Sequence, residues 1–113
     1  MAGFHPLKPL DSKILSLTGV QRRKSRWGNH PAYFVDDREF VHFHSRREID
    51  IRLTRRFQRL DGDKLRRDPR IGFRKGNSEW ITFAVRTRED LEVALQLIKL
   101  ACEGNRRVRA CLW

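Results

Sequence analysis

Two histidines one residue apart, His42 and His44, are followed closely by Glu48, Asp50 and Arg52. Imidazole exchanges protons near neutral pH, and a carboxylate beside it fixes its tautomer and raises its basicity. His42, His44 and Asp50 are therefore the candidate catalytic residues. Two histidines also bind zinc or another transition metal when a third ligand joins them, here Asp50 or Glu48. His-x-His alone does not assign a metal, so His42 and His44 stay candidate ligands only. The plainer alternative is a set of polar side chains on a half-solvated sheet face, hydrogen-bonded from strand to strand.

The element that positions them is a β-hairpin. Val41 and Phe43 point one way, and Phe40, His42 and His44 the other. On the return arm Ile49, Ile51 and Leu53 alternate with Glu48, Asp50 and Arg52, the period of strands with one face in a core. The apolar faces coincide only when paired residue numbers sum to an even value. His42 then lies across from Asp50 or Arg52, and His44 across from Glu48 or Asp50.

Around this hairpin the chain alternates helices and strands. Residues 1–18 read as an arm containing Pro6 and Pro9, then a short helix capped by Asp11 or Ser12 and ended by Gly19. Residues 19–104 read as one domain. Val20–Lys24 suits an edge strand, and residues 27–31 form a loop. Ala32–Val35, a turn at Asp36-Asp37-Arg38, Glu39–His44 and Ile49–Leu53 make a meander. Thr54 is the expected N-cap of a helix over Arg55–Arg67, with Gly62 a weak point at which that helix could break. Strands follow at Ile71–Arg74 and Trp80–Arg86. Thr87 and Asp90 form a capping-box variant for the last helix. Leu91, Ala94, Leu95, Ile98, Ala101 and Cys102 line one side of it, and Gly104 is its expected C′ residue. Residues 105–113 form a basic tail ending in Trp113, either a last strand or a docking segment. This order predicts an α+β fold, an antiparallel β-sheet of meander plus hairpin with helices packed on one face. The opposite face would carry His42, His44, Asp50, Arg52, Thr82 and Trp80. Of these, Arg52, Thr82 and Trp80 are the candidate ligand-binding residues, with Trp80 either walling a pocket or joining the core.

Charge is the strongest compositional signal. The 113 residues hold 25 Lys and Arg against 14 Asp and Glu, a net charge of +11. Such a chain is attracted to polyanions of any kind. The candidate anion or nucleic-acid contacts are Arg22, Arg23 and Arg26, then Arg55, Arg56, Arg59, Arg66 and Arg67. Further basic residues lie at Lys24, Arg70, Arg106, Arg107 and Arg109. Guanidinium forks bind phosphate bidentately, and Trp27, Tyr33 or Phe73 could stack bases. No recognised nucleic-acid motif, Gly-rich phosphate loop, flavin or nucleotide signature, or nucleophile motif is present. Cys102 and Cys111 have neither redox nor zinc spacing, and Cys102 falls on the apolar side of its helix. No apolar run approaches the ~20 residues of a membrane span. Met1–Pro6 resembles neither a signal peptide nor a myristoylation site. A cytoplasmic protein without a membrane partner is expected.

Several segments together resemble a known family: His42–His44, Ile49-Asp50-Ile51-Arg52-Leu53-Thr54, Ser78-Glu79-Trp80-Ile81, and Glu89 through Leu97. Over about residues 19–103 the chain is similar to a group of bacterial, archaeal and fungal domains called the luciferase-like domain, or DUF5519. The resemblance brings with it no reaction and no cofactor. The family often has glycine after the second histidine, where this chain has Ser45. The TIM barrel of flavin-dependent luciferases needs about twice this length, so light emission is not expected. These readings leave three functions in play: a non-catalytic module for an anionic ligand, an enzyme built on His42, His44 and Asp50, and an interaction module for an acidic partner.

Overall fold

Alternation and helical periodicity produce ten elements in a computed structural model that describes residues 7–76 and 78–106. In chain order they are α1 (Leu7–Leu15), β1 (Val20–Lys24), β2 (Pro31–Val35), β3 (Arg38–Phe43), β4 (Glu48–Arg52), α2 (Arg55–Leu60), α3 (Gly62–Arg67), β5 (Ile71–Phe73), β6 (Trp80–Ala84) and α4 (Arg88–Asn105). The strands form one sheet in the order β1-β2-β3-β4-β6-β5, with every neighbouring pair antiparallel. This is the α+β architecture that the element order predicts. Arg107, Arg109, Cys111, Trp113 and the start of the arm lie outside the described residues. No helix among the described residues is long and apolar enough to cross a membrane.

The core lies between the sheet and the helices α1 and α4. Val41, Ile49, Ile51, Ile81 and Phe83 from the sheet meet Leu10, Ile14, Ala94, Ile98 and Ala101 from the helices, all fully buried. Each large side chain taken fully out of water contributes roughly 1.5–3 kcal/mol. Cys102 joins this core, and burial pushes its thiol pKa up.

The hairpin register follows the alternation. Val41 pairs with Ile51, His42 with Asp50 and Phe43 with Ile49. One sequence expectation fails beside it. Phe40 does not share the face of His42; it is fully buried in the core. Tyr33 pairs with Val41 while its neighbour Phe34 pairs with Glu39, so Phe40 is an extra residue, a β-bulge. The bulge sends both Phe40 and Val41 to the apolar side and turns Glu39 onto the polar side. The β2–β3 turn is made by Asp36 and Asp37, both at positive φ, the backbone that matches a tight hairpin to strand twist. Ser45 has no positive φ, so serine fits where the family often has glycine.

The helices depart from expectation at three points and match it at a fourth, the break beside Gly62. The first begins at Leu7, upstream of the expected caps, with Pro9 in its first turn, where a missing N–H costs nothing. Asp11 instead receives the Tyr33 hydroxyl and Arg22 at 2.6 Å each. The second segment is divided at Asp61 into α2 and α3, close to the weak point at Gly62. Thr54 makes no side-chain cap bond and sits at φ 69°, a costly conformation for a β-branched residue. Its amide is used instead by the carbonyl of Glu79 at 3.2 Å. Finally, α4 runs through Gly104 to Asn105. A Cβ at Gly104 would lie 2.8 Å from the Phe57 ring and 3.1 Å from Thr54, so this glycine permits α2 to approach α4 rather than ending the helix. Asn105 secures the contact by donating to the carbonyls of Arg52 at 2.8 Å and Ala101 at 2.7 Å. The capping box holds: the Thr87 hydroxyl accepts from the Asp90 amide at 3.1 Å, and the Asp90 carboxylate from the Thr87 amide at 3.2 Å.

Candidate functional site

Cross-strand pairing places Asp50 between His42 on β3 and Thr82 on β6. Its carboxylate is only 1% exposed. One oxygen, Oδ1, accepts from the Thr82 hydroxyl at 2.7 Å. The other, Oδ2, meets His42 Nε2 at 2.8 Å, His44 Nδ1 at 3.2 Å and Arg74 at 3.0 Å. Burial alone would raise the Asp50 pKa. Hydrogen bonds from His42 and Thr82, with the electrostatic pull of the nearby His42 ring and Arg74 guanidinium, outweigh it and hold the carboxyl well below the usual carboxylate range.

The opposite nitrogen of His42 is also engaged. Its Nδ1 lies 3.0 Å from Glu39 Oε2. Residues 39 and 42 would sit on opposite faces of a regular strand, and the bulge at Phe40 brings them together. The Glu39 side chain is fully buried. It also accepts from the Ser25 hydroxyl and the Arg26 amide, each at 2.8 Å. A ring with carboxylates on both nitrogens donates to both when each nitrogen carries hydrogen. With both nitrogens in use, His42 binds a metal only by giving up one of these bonds. Among the described residues, no group of three or more His, Cys, Asp or Glu side chains is arranged to hold a metal ion.

Glu39 has a second effect. By holding Ser25 and Arg26 it folds the β1–β2 loop over the polar sheet face. Trp27 and His30 arrive with that loop. The Trp27 and Trp80 rings meet edge to face, 5.4 Å apart at 90°. Trp80 lies 5.0 Å and His30 5.4 Å from the His42 ring. The face is therefore a partly roofed concavity of about 490 Å³, lined by Trp27, His30, His42, His44, Asp50, Arg74 and Trp80. His44, 55% exposed at its side chain, stands at the rim. Its Nε2 has no partner among the described residues. The His30 Nε2 atom is buried without a hydrogen-bond partner among the described residues.

Of the expected ligand contacts, Trp80 lines this space. Arg52 does not: it donates through two nitrogens to Glu79 Oε1 at 3.0 and 2.8 Å, with its guanidinium 6.0 Å from the Trp80 ring centre. Thr82 supports Asp50 from below. Tyr33, a candidate for base stacking, is 1% exposed and belongs to the core.

The arginines separate into two kinds. Arg22 pairs with Asp11 at 2.6 Å and Arg23 with Asp37 at 3.0 Å. Arg26 donates to the Asp37 carbonyl at 3.0 Å. By contrast, Arg55, Arg59, Arg66 and Arg67 line one cleft of about 920 Å³ with Lys64 and Arg74. Asp61 and Asp63 are its two acidic residues, and Arg66 reaches Asp63 at 3.9 Å. Arg55, Arg59 and Arg67 have no hydrogen-bond or ion-pair partner among the described residues. Arg56 is exposed outside the cleft. Arg74 lines both hollows.

Residues 37–101 match the family described as Luciferase domain, more than half of the chain. The chain belongs to the Luciferase domain family. No curated protein and no solved structure matches it. The part matched to the Luciferase domain contains Glu39, His42, His44, Asp50, Trp80 and the arginines of α2 and α3, while Trp27 and His30 precede it.

The signal for Glu39 was present in the sequence. Phe40 and Val41 are adjacent apolar residues that interrupt strict alternation, which is what a bulge does. Arg74, Trp27 and His30 carried no comparable signal, because a loop and a turn bring them to the site.

Proposed function

We propose that this Luciferase domain is a non-catalytic module that binds a polyanionic ligand, phosphate-bearing in the first instance, in the cleft beside α2 and α3. The observation that carries this reading is a set of guanidinium groups without partners among the described residues: Arg55, Arg59 and Arg67 line one hollow, together with Arg74. Arginines placed for structure are normally neutralised, as Arg22, Arg23 and Arg70 are. Planar, always-charged forks left free along one wall suit phosphate oxygens.

Linear polyphosphate, titrated against the chain, tests the reading. Arg55→Gln with Arg59→Gln is expected to weaken binding by roughly thirtyfold, two charge-assisted contacts of about 1 kcal/mol each. It should also flatten the salt dependence. Arg22→Gln with Arg23→Gln removes the same charge but touches paired groups, and is expected to change affinity less than about threefold. Equal losses from both pairs would mean that net charge, not the cleft, holds the anion.

One observation favours a second reading, an enzyme. The concavity lies over His42, His44 and Asp50, and Asp50 can orient His44 with its Nε2 free, the arrangement of a general base. Turnover of a panel of phosphate and carboxylate esters that vanishes in His44→Ala, with the melting curve unchanged, is its expected result. A panel without turnover counts against it.

A further inference from the structure

The basic cleft is not the whole of the exposed surface that a ligand would meet. Trp27 is 61% exposed, although its ring packs against another tryptophan. Phe73, on β5 at the wall of the cleft, is 42% exposed. Arg74 follows it directly and stands at the boundary between cleft and concavity. Going from one hollow to the other, a ligand would meet free guanidinium groups, then Arg74, then an indole.

A simple anion such as sulfate or a phosphate chain uses only the first part. A ligand that uses both parts has regularly spaced phosphates and flat rings attached to them. We infer that the ligand is single-stranded nucleic acid, with one base in the concavity against Trp27, its phosphate at Arg74, and the adjoining backbone along the cleft. The inference rests on the anion-binding reading above and names its ligand. Three features support it over other polyanions. The concavity, about 490 Å³, lies in the range of pockets that hold a ligand of nucleotide size. Aromatic rings interleaved with basic side chains are how proteins hold single strands without reading sequence. A duplex offers its phosphates but keeps its base faces stacked, so it cannot fill the aromatic space without a flipped base. A base there would stack on Trp27, and Arg74, paired with Asp50 at 3.0 Å and 45% exposed at its side chain, would stand between that carboxylate and the phosphate.

Anisotropy titrations of the full chain, with a labelled single-stranded homopolymer, an abasic strand of the same length, the mononucleotide and linear polyphosphate, test this without any substitution. The base-bearing strand is expected to bind about tenfold more tightly than the abasic one, the size of one stacked base. The mononucleotide should bind far more weakly than the strand. Trp27→Ala should remove the difference between the strands, and Trp27→Phe should restore most of it. Equal affinity for base-bearing and abasic strands, or a mononucleotide as tight as the strand, overturns the inference and leaves the anion reading standing. No binding of any of these probes at physiological salt overturns both.

Discussion

Replacing Asp50 by alanine is expected to remove about 3–5 kcal/mol of folding stability, the usual cost of breaking a buried charged network from one side. The size follows from what the carboxylate holds. Thr82 and His42 lose an acceptor whose own side chain is only 1% exposed. Arg74 and His44 are about half exposed and can turn to solvent, so they add less. A chain of this size commonly has only 5–15 kcal/mol in all, and urea titration should show a large drop in midpoint with an unchanged slope. Asp50→Asn keeps the volume but turns one donor toward donors, and about 2 kcal/mol is expected. A loss below about 1 kcal/mol for the alanine variant would mean that the network is not closed as described. The pH dependence has a definite sign. The Asp50 pKa is held low in the folded chain, so its contribution is full above the unfolded carboxyl value of about 3.9 and is lost as pH falls toward the folded value. The gap in stability between the natural chain and Asp50→Asn should therefore narrow as pH falls below about 4. Comparing the two removes the parallel contributions of Asp11, Asp68 and Asp90, whose pKa values are also lowered.

The hairpin was legible because its information is local. Ile49, Ile51, Val41 and Phe43 state a face, and matching faces leaves few registers; the pairing of His42 with Asp50 was one of two allowed. The capping box of Thr87 and Asp90 was legible for the same reason, since capping is decided within one turn. What the sequence hid is decided by distant partners. Thr54 looks like an N-cap in isolation, but it is held at a positive φ where its methyl group meets α4. Gly104 looks like a helix end, yet it serves the approach of Phe57 from another helix. The arginine clusters look alike on paper. Only the fold shows that Arg22 and Arg23 have found Asp11 and Asp37 while Arg55 and Arg59 have found no partner among the described residues. The polar sheet face itself was foreseen, but its roof was not. Trp27 and His30 are far from His42 in sequence, and the path that returns them is set by Glu39, which the bulge turned to the inside.

That dependence makes Glu39 the second site of large effect. Glu39→Ala is expected to cost about 3 kcal/mol, because it leaves the Ser25 hydroxyl, the Arg26 amide and His42 Nδ1 without their shared acceptor in a buried place. The loss should not be confined to stability. Ser25 and Arg26 are the tether of the β1–β2 loop, so its release should raise trypsin cleavage at Arg26 under native conditions and change the emission of the indole at Trp27. His42→Ala removes one of the same bonds from the other side. If the network acts as a unit, the double variant should be less destabilised than the sum of the two, by at least about 1 kcal/mol. Strict additivity would mean that loop and hairpin are stabilised separately, and the concavity would then be an accident of loop placement. A clear coupling, with the loop loosened in both single variants, would tie the buried Glu39–His42–Asp50 chain to the posture of Trp27. These three residues would then act by holding the wall of a binding site, leaving His44 as the histidine of the pair that is free to meet a ligand.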